Sequence, residues 1–98
     1  MNVTLENNVL TIALAGRIDS NNAAETEKQI LAVLKEHPGL TPVFDAAELE
    51  YISSAGLRVL MKVRKSAGKS VTIENVRREV YEIFETTGFT EILDVQKI

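Results

Sequence analysis

Two adjacent serines, Ser53 and Ser54, followed by Ala55 and Gly56, are the residues of this chain best suited to chemistry. They stand at the predicted start of a helix, where a hydroxyl oxygen can accept a hydrogen bond from an unpaired amide. The same free amides and the positive end of the helix dipole favour an added phosphate. Helical spacing puts Arg58 one turn after Ser54, within reach of such a group. From the residues alone, helix capping is the simpler interpretation, and phosphorylation of Ser54 is the functional alternative.

Catalysis by these serines is weakly supported. The segment is not a G-x-S-x-G motif, and a nucleophilic serine needs a base oriented by a third group. His37, the one histidine, lies in the turn after the first predicted helix. Asp19 and Asp45 precede the first two helices, and either could be a loop hydrogen-bonding residue; without a defined pocket, the pair is weak evidence of acid–base catalysis. No metal or nucleotide motif is present, so we expect no cofactor and no metal, and a small enzyme is the least favoured class.

The composition indicates one globular domain. The chain has 98 residues, of which 45% are hydrophobic and 26% are charged, with no cysteine and a net charge of −3. One core fits a chain of this length. The net negative charge argues against non-specific nucleic-acid binding. With neither a signal peptide nor an apolar run long enough for membrane insertion, we expect a soluble, cytoplasmic protein.

The first half of the chain is predicted to form a hairpin, a helix and a short strand. Apolar and polar residues alternate on both sides of the turn at Glu6–Asn8, which is typical of two antiparallel strands, and the second strand is predicted to end at Gly16. Asn22–Glu25 has the form of a capping box, and the helix that it begins should end at His37–Gly39. Thr41–Asp45 is predicted to be a short strand.

The second half is predicted to add two helices and two strands. Ala55–Ala67 forms a helix whose apolar residues cover more than half of its surface, so it should be largely buried. Ser70–Glu74 alternates as a strand does. Asn75 is then predicted to cap a third helix, and Gly88 stands where a helix C′ glycine belongs. The last predicted strand is Ile92–Val95.

The element order β-β-α-β-α-β-α-β predicts an α/β fold. Its mixed, mostly parallel sheet should have about five strands and at least three helices, with an antiparallel edge from the first hairpin. Sheets of this kind carry function at the carboxyl ends of their strands. Three segments qualify as functional edges: residues 17–22, 46–56 and 75–78. The connection from Asp45 to Gly56 is predicted to be the longest strand-to-helix loop.

Three motifs resemble those of STAS domains, the sulfate-transporter and anti-sigma-factor-antagonist family. Gly16-Arg17-Ile18-Asp19, with Ala23 four residues later, is similar to the family's G-x-(I/L)-D-(x)3-A segment. Phe44–Leu57 resembles its central signature, in which an Asp-Ser-(Ser/Thr/Ala)-Gly-Leu run follows a strand and an aromatic-aliphatic pair. Thr87–Phe89 is similar to a late (M/T)-G-(L/F) motif. The resemblance covers nearly the whole chain.

The resemblance implies a partner-switching regulator of the single-domain type. The family's phosphorylated serine falls on Ser54. It implies a partner protein kinase that is also an anti-sigma factor, and a protein serine phosphatase that reverses the modification. The unphosphorylated antagonist binds the kinase and frees a sigma factor for transcription. The predicted contact edge consists of Asp19, Ser53, Ser54, Gly56 and Arg58.

The sequence departs from the family pattern at one central position. Ser53 stands where the family has an Asp before the phosphorylated serine, which makes Ser53 a second candidate acceptor. The chain ends soon after Val95, so we expect the family's C-terminal helix to be shortened or missing. STAS-like domains also serve as constitutive, non-phosphorylated interaction subunits of transporters or lipid-transport complexes. In that alternative, Ser53 and Ser54 would only cap the helix.

Overall fold

The computed structural model describes residues 1–98 as five strands and three α-helices. The strands are β1 (Val3–Glu6), β2 (Val9–Ile18), β3 (Pro42–Ile52), β4 (Thr72–Val76) and β5 (Asp94–Lys97). The helices are α1 (Ala23–Glu36), α2 (Ser54–Ala67) and α3 (Arg78–Thr86), and a short 3-10 helix at Phe89–Glu91 precedes β5. The predicted element order and α/β class are confirmed. No helix is both long enough and apolar enough to cross a bilayer.

One mixed sheet carries all five strands, in the order β1-β2-β3-β4-β5. β1 pairs antiparallel with β2, and the other pairs are parallel. Because each parallel crossover moves one strand along the sheet with the same hand, the helices pack on one face of it. The burial pattern of β2 agrees, since Leu10, Ile12 and Leu14 are buried while Thr11 and Ala13 between them are only half-buried.

The first hairpin forms as predicted but its second strand is longer. Asn7 and Asn8 make the turn with φ of 51° and 65°, the left-handed geometry that suits a two-residue hairpin loop. Gly16 does not end β2, which continues to Ile18. Instead, Gly16 takes a φ of +67° within the strand. The strand continues because the parallel partner β3 supplies hydrogen-bonding groups up to this point.

The prediction of a long loop after Asp45 is wrong, because β3 runs through to Ile52. Its pairing with β2 shifts register twice, once after Asp45 and once after Leu49. Each shift adds a residue to β3, as a β-bulge does. The buried residues of this stretch, Ala46, Leu49 and Ile52, are therefore three apart, although regular strands bury every second residue. With this spacing, the sequence lacks the alternation of apolar and polar residues by which a strand is predicted.

The predicted capping box at the start of α1 does not form. Asn22 makes no side-chain hydrogen bond to the helix. Its Oδ1 instead accepts a bond from the Asp19 amide (2.9 Å), and its Nδ2 donates to the Arg17 carbonyl (2.8 Å). Both bonds face back towards β2, so Asn22 fixes the turn that enters the helix. Helix α1 then ends at Glu36, just before the predicted stop.

Asn75 is not the N-cap of the third helix. It lies inside β4 with a φ of +58°, and its Nδ2 donates to Asp45 Oδ1 (3.1 Å) across the sheet. Helix α3 begins two residues later than predicted, with Arg77 as its N-cap. Gly88 has the predicted left-handed conformation, with a φ of 80°. The last strand, β5, begins two residues later than predicted.

Candidate functional site

Ser53 is the cap of helix α2 and the only residue between β3 and that helix. Its backbone is extended, with φ −88° and ψ 174°, and its hydroxyl oxygen accepts a bond from the Gly56 amide (3.3 Å). Its own amide donates to the Ile18 carbonyl at 2.8 Å, which ties the cap to the end of β2. Ser53 is half-buried. Its hydroxyl is thus already in use as the N-cap acceptor.

Ser54 is the first residue of α2, and its side chain is exposed. No side-chain hydrogen bond within the protein involves its hydroxyl. The two serines therefore differ in environment although they are adjacent in sequence. Ser53 holds the helix end, and Ser54 presents a free hydroxyl beside the amides of the first turn, where an anion is electrostatically favoured.

Gly56 lets α2 approach the ends of β2 and β3 closely. A Cβ atom at this position would lie 2.7 Å from Ile52 Cγ1 and 2.8 Å from Ile18 Cγ2. Both isoleucines are buried, at 1% and 5% exposure. Only glycine fits here without displacing side chains of the core. Gly56 therefore determines how closely the start of α2, with Ser53 and Ser54, lies to the ends of β2 and β3. Gly56 is itself buried.

Asp19 lies in the turn between β2 and α1, beside the same edge. Its Oδ1 accepts a bond from the Asn21 amide (2.9 Å), and its carbonyl accepts from Ala23 (2.9 Å). Because Ile18, the preceding residue, bonds to Ser53, the turn and the helix cap are held together. Asp45 is also a hydrogen-bonding residue, accepting from the Ala47 amide at 3.0 Å. Both aspartates thus have a structural role, as one of the sequence interpretations held.

A shallow groove separates the first turns of α1 and α2. Arg58 lies on its α2 side and is exposed, and Ser20 lies in the turn that leads to α1. Further along the helices, Lys62 Nζ and Glu27 Oε1 form an ion pair at 3.2 Å that joins α1 to α2. Arg58 itself has no such pair. Of the predicted edge residues, Arg58 lines this groove, and Ser54 is exposed at the start of the same helix.

The remaining polar residues form no catalytic constellation with Ser54. His37 lies at the far end of α1, where it forms the C-cap. No three His, Cys, Asp or Glu side chains come together in a way that could hold a metal ion. What sequence reasoning missed at this edge is the Arg17–Tyr51 pair, whose side chains stack at 4.4 Å. Their proximity could have been inferred only if the extension of β3 to Ile52 had been known.

The fold is a single α/β domain in which helix α2 begins at a serine cap beside the ends of β2 and β3. A family model described as "Mlab, STAS domain" matches residues 1–94. The chain belongs to the STAS domain family, which confirms the resemblance read from its motifs. This membership agrees with the expectation that the chain is not an enzyme.

Several similar proteins are classed as anti-sigma factor antagonists. BtrV of Bordetella bronchiseptica is 36% identical over 91 residues, covering 89% of this chain and 77% of the relative. The anti-sigma-B factor antagonist of Listeria monocytogenes is 26% identical over 106 residues, covering 100% and 92%. That of Bacillus subtilis is 24% identical over 98 residues, covering 97% and 88%.

A crystal structure confirms the fold. A protein of Thermotoga maritima, also classed as an anti-sigma factor antagonist, superposes with a TM-score of 0.85. The superposition covers 99% of this chain and 86% of the other, at 16% sequence identity. At that identity the likeness concerns the fold alone.

Proposed function

We propose that this protein is an anti-sigma factor antagonist that works by partner switching. In its unphosphorylated form it binds an anti-sigma factor with serine kinase activity and so frees a sigma factor. Phosphorylation of Ser54 by that kinase releases it, and a protein serine phosphatase restores the binding form. The observation that carries the proposal is the free, exposed Ser54 hydroxyl at the start of α2. The names of the similar proteins support the same class.

The two serines are not equal acceptors in this proposal. A kinase needs an accessible hydroxyl, and the Ser53 oxygen is half-buried and bonded to the Gly56 amide. Modification of Ser53 would first require loss of this helix cap, at about 1 kcal/mol. Ser54 can accept a phosphate without breaking any hydrogen bond of the structure. We therefore assign Ser54 as the acceptor and Ser53 as its structural support.

The switch is electrostatic. A phosphate adds about −1.5 to −2 charges at a surface that must come close to the partner. Burying a charge without a partner is strongly unfavourable, by roughly 3–5 kcal/mol. A loss of about 4 kcal/mol corresponds to roughly a thousandfold in affinity, which is enough to release the complex. In this proposal Arg58, one turn along the helix, pairs with the phosphate.

Asp19 and Gly56 complete the proposed contact edge in different ways. Asp19 orders the turn beside the helix cap, and Gly56 sets the position of that cap against β2 and β3. The partner would contact the rim of the groove between α1 and α2. Because sigma factors act on transcription in the cytoplasm, this function also places the protein there.

The proposal is tested by incubating the purified chain with candidate serine kinases from the same genome and Mg-ATP, followed by intact-mass measurement. We expect an addition of about 80 Da, the mass gained when one hydroxyl is phosphorylated, to the wild type and to Ser53→Ala, but not to Ser54→Ala. In binding assays, Ser54→Ala should hold the kinase and Ser54→Asp should lose it. Absence of any modification, with equal binding by Ser54→Ala and Ser54→Asp, would refute the switch.

A second function is favoured by one observation, the family description "Mlab, STAS domain". In this alternative the chain is a constitutive interaction subunit of a transporter or lipid-transport complex. Ser53, in place of the family's Asp, would then serve only as a helix cap. The two functions separate in the same assay: a constitutive subunit is not modified by any kinase. It would instead co-purify with a membrane transport ATPase, whether residue 54 is serine or alanine.

A further inference from the structure

Arg17, which is exposed, and Tyr51, which is half-buried, form a pair beside the serine-bearing edge. They are partners in the register of β2 and β3, and the guanidinium carbon lies 4.4 Å from the centre of the tyrosine ring. The next residues along both strands, Ile18 and Ile52, are buried on the helix side. Because side chains alternate along a strand, Arg17 and Tyr51 point away from that core. Arg17 also borders a groove that is lined by Thr26 and Gln29 of α1. The Ile18 carbonyl also accepts the Ser53 amide, so the pair is next to the helix cap.

The Arg17 guanidinium has no polar partner within the protein. Other arginines do: Arg77 bonds the Ala47 carbonyl at 2.9 Å, and Arg64 bonds the Ile92 carbonyl at 2.8 Å. Arg17 makes no salt bridge and no side-chain hydrogen bond. Stacking on a ring occupies the flat face of a guanidinium and leaves the N–H groups at its edge free. When the guanidinium is held in one orientation, two of these N–H groups can donate to the two oxygens of a carboxylate.

We propose that Arg17, held over the ring of Tyr51, binds a carboxylate of the same partner protein that meets Ser54. This inference rests on the proposed function and extends its binding surface from the start of α2 to the ends of β2 and β3. Arginine and tyrosine are two of the residue types that dominate the energy of protein interfaces. Because stacking already orders the Arg17 side chain, binding restricts it less than it would a free arginine.

A carboxylate on the partner also makes the phosphate switch more effective. Two unpaired guanidiniums flank the edge, Arg17 on the sheet side and Arg58 on the helix side. An acidic partner surface is attracted to both. A phosphate on Ser54 would repel that surface and would compete for Arg58 at the same time. Phosphorylation would thus weaken the electrostatic attraction between the two proteins and would also add bulk at their interface.

The test measures, by calorimetry, the affinity of the chain for the anti-sigma factor kinase that modifies Ser54. We expect Arg17→Ala to bind about tenfold to a hundredfold more weakly. Arg17→Lys keeps the charge but loses the planar fork, so it should recover only part of the affinity. Tyr51→Phe keeps the ring and should bind within about threefold of wild type. The control is Arg78→Ala, which removes an exposed arginine that pairs only with Glu82 on α3.

The outcomes separate this inference from the proposed function. Wild-type affinity of Arg17→Ala, alongside lost binding of Ser54→Asp, would overturn the role of Arg17 and leave the switch standing. Equal weakening by Arg78→Ala would indicate general charge attraction and would also overturn it. If no kinase modifies Ser54, both proposals fall together. Urea unfolding of each variant shows whether a loss of binding reflects a loss of fold.

Discussion

Replacement of Gly56 by alanine should destabilise this fold, although alanine is the better helix former. The added methyl would lie 2.7 Å from Ile52 Cγ1, 3.2 Å from Ile52 Cδ1 and 2.8 Å from Ile18 Cγ2. Carbon atoms do not approach this closely without repulsion. Both isoleucines are buried, so a change of rotamer at either would disturb the packed core. Either these side chains or helix α2 must therefore shift.

The sign of the effect follows from two opposing magnitudes. Forcing an extra methyl group into a packed core destabilises by about 1–3 kcal/mol. Exchange of glycine for alanine within a helix stabilises by at most about 1 kcal/mol, and less in the first turn, where the helix is only partly formed. We therefore expect a net loss of about 1–2 kcal/mol for Gly56→Ala. In a domain of this size that lowers Tm by roughly 4–16 °C.

Urea unfolding followed by circular dichroism measures the change directly. A loss of 1–2 kcal/mol moves the midpoint down by about 1–2 M, at a slope of about 1 kcal/mol per M. The control is the same replacement in an Ile52→Ala background, where two of the three close contacts are absent and the penalty should shrink. A rise in the midpoint of Gly56→Ala, as helix propensity alone predicts, would refute the packing argument.

Three further predictions concern the residues around this helix cap. Ser53→Ala should lower the free energy of unfolding by about 1 kcal/mol, because it removes the cap acceptor. Ser54→Ala should change it by no more than about 0.5 kcal/mol. If urea unfolding gave the reverse order, the assignment of the two hydroxyls would be wrong. Asn22→Ala removes two hydrogen bonds and should lower stability by about 1–2 kcal/mol. It should also speed hydrogen exchange of the Asp19 amide, and unchanged exchange would count against the proposed turn. Gly16→Ala should lower stability by about 1–2 kcal/mol through its positive φ alone, and Gly16→Asn by less, since asparagine tolerates that conformation; equal effects of the two would argue for a packing cause.

Elements with regular spacing could be predicted from the sequence. The hairpin turn at Asn7 and Asn8, the long helices and the left-handed Gly88 each depend on local patterns, and all are present. The order of these elements was enough to predict a mixed, mostly parallel sheet. The position of Ser54 at the start of α2 followed from the same local signals.

Features that depend on partners distant in sequence could not be predicted. The second half of β3 is a strand only because β2 pairs with it through two bulges, and bulges remove the alternation that identifies a strand. Asn22 and Asn75 both looked like helix caps, but their side chains bond Arg17 and Asp45 instead. Asparagine suits caps and turns equally, so only the three-dimensional neighbours decide.

Ser53 stands where the family pattern that the sequence resembles has an aspartate, and the structure gives a physical account of such an exchange. Position 53 is the N-cap of α2, and serine and aspartate are both among the residues preferred there. Exchange of one for the other keeps the hydrogen bond to the Gly56 amide and so preserves the geometry at Ser54. What changes is charge, because a carboxylate next to the acceptor is lost. The first turn of α2 holds no acidic residue, so its amides have no anion to neutralise them. A phosphate on Ser54 would be the first such anion, so its attraction to this helix end would be greater than with an aspartate at position 53.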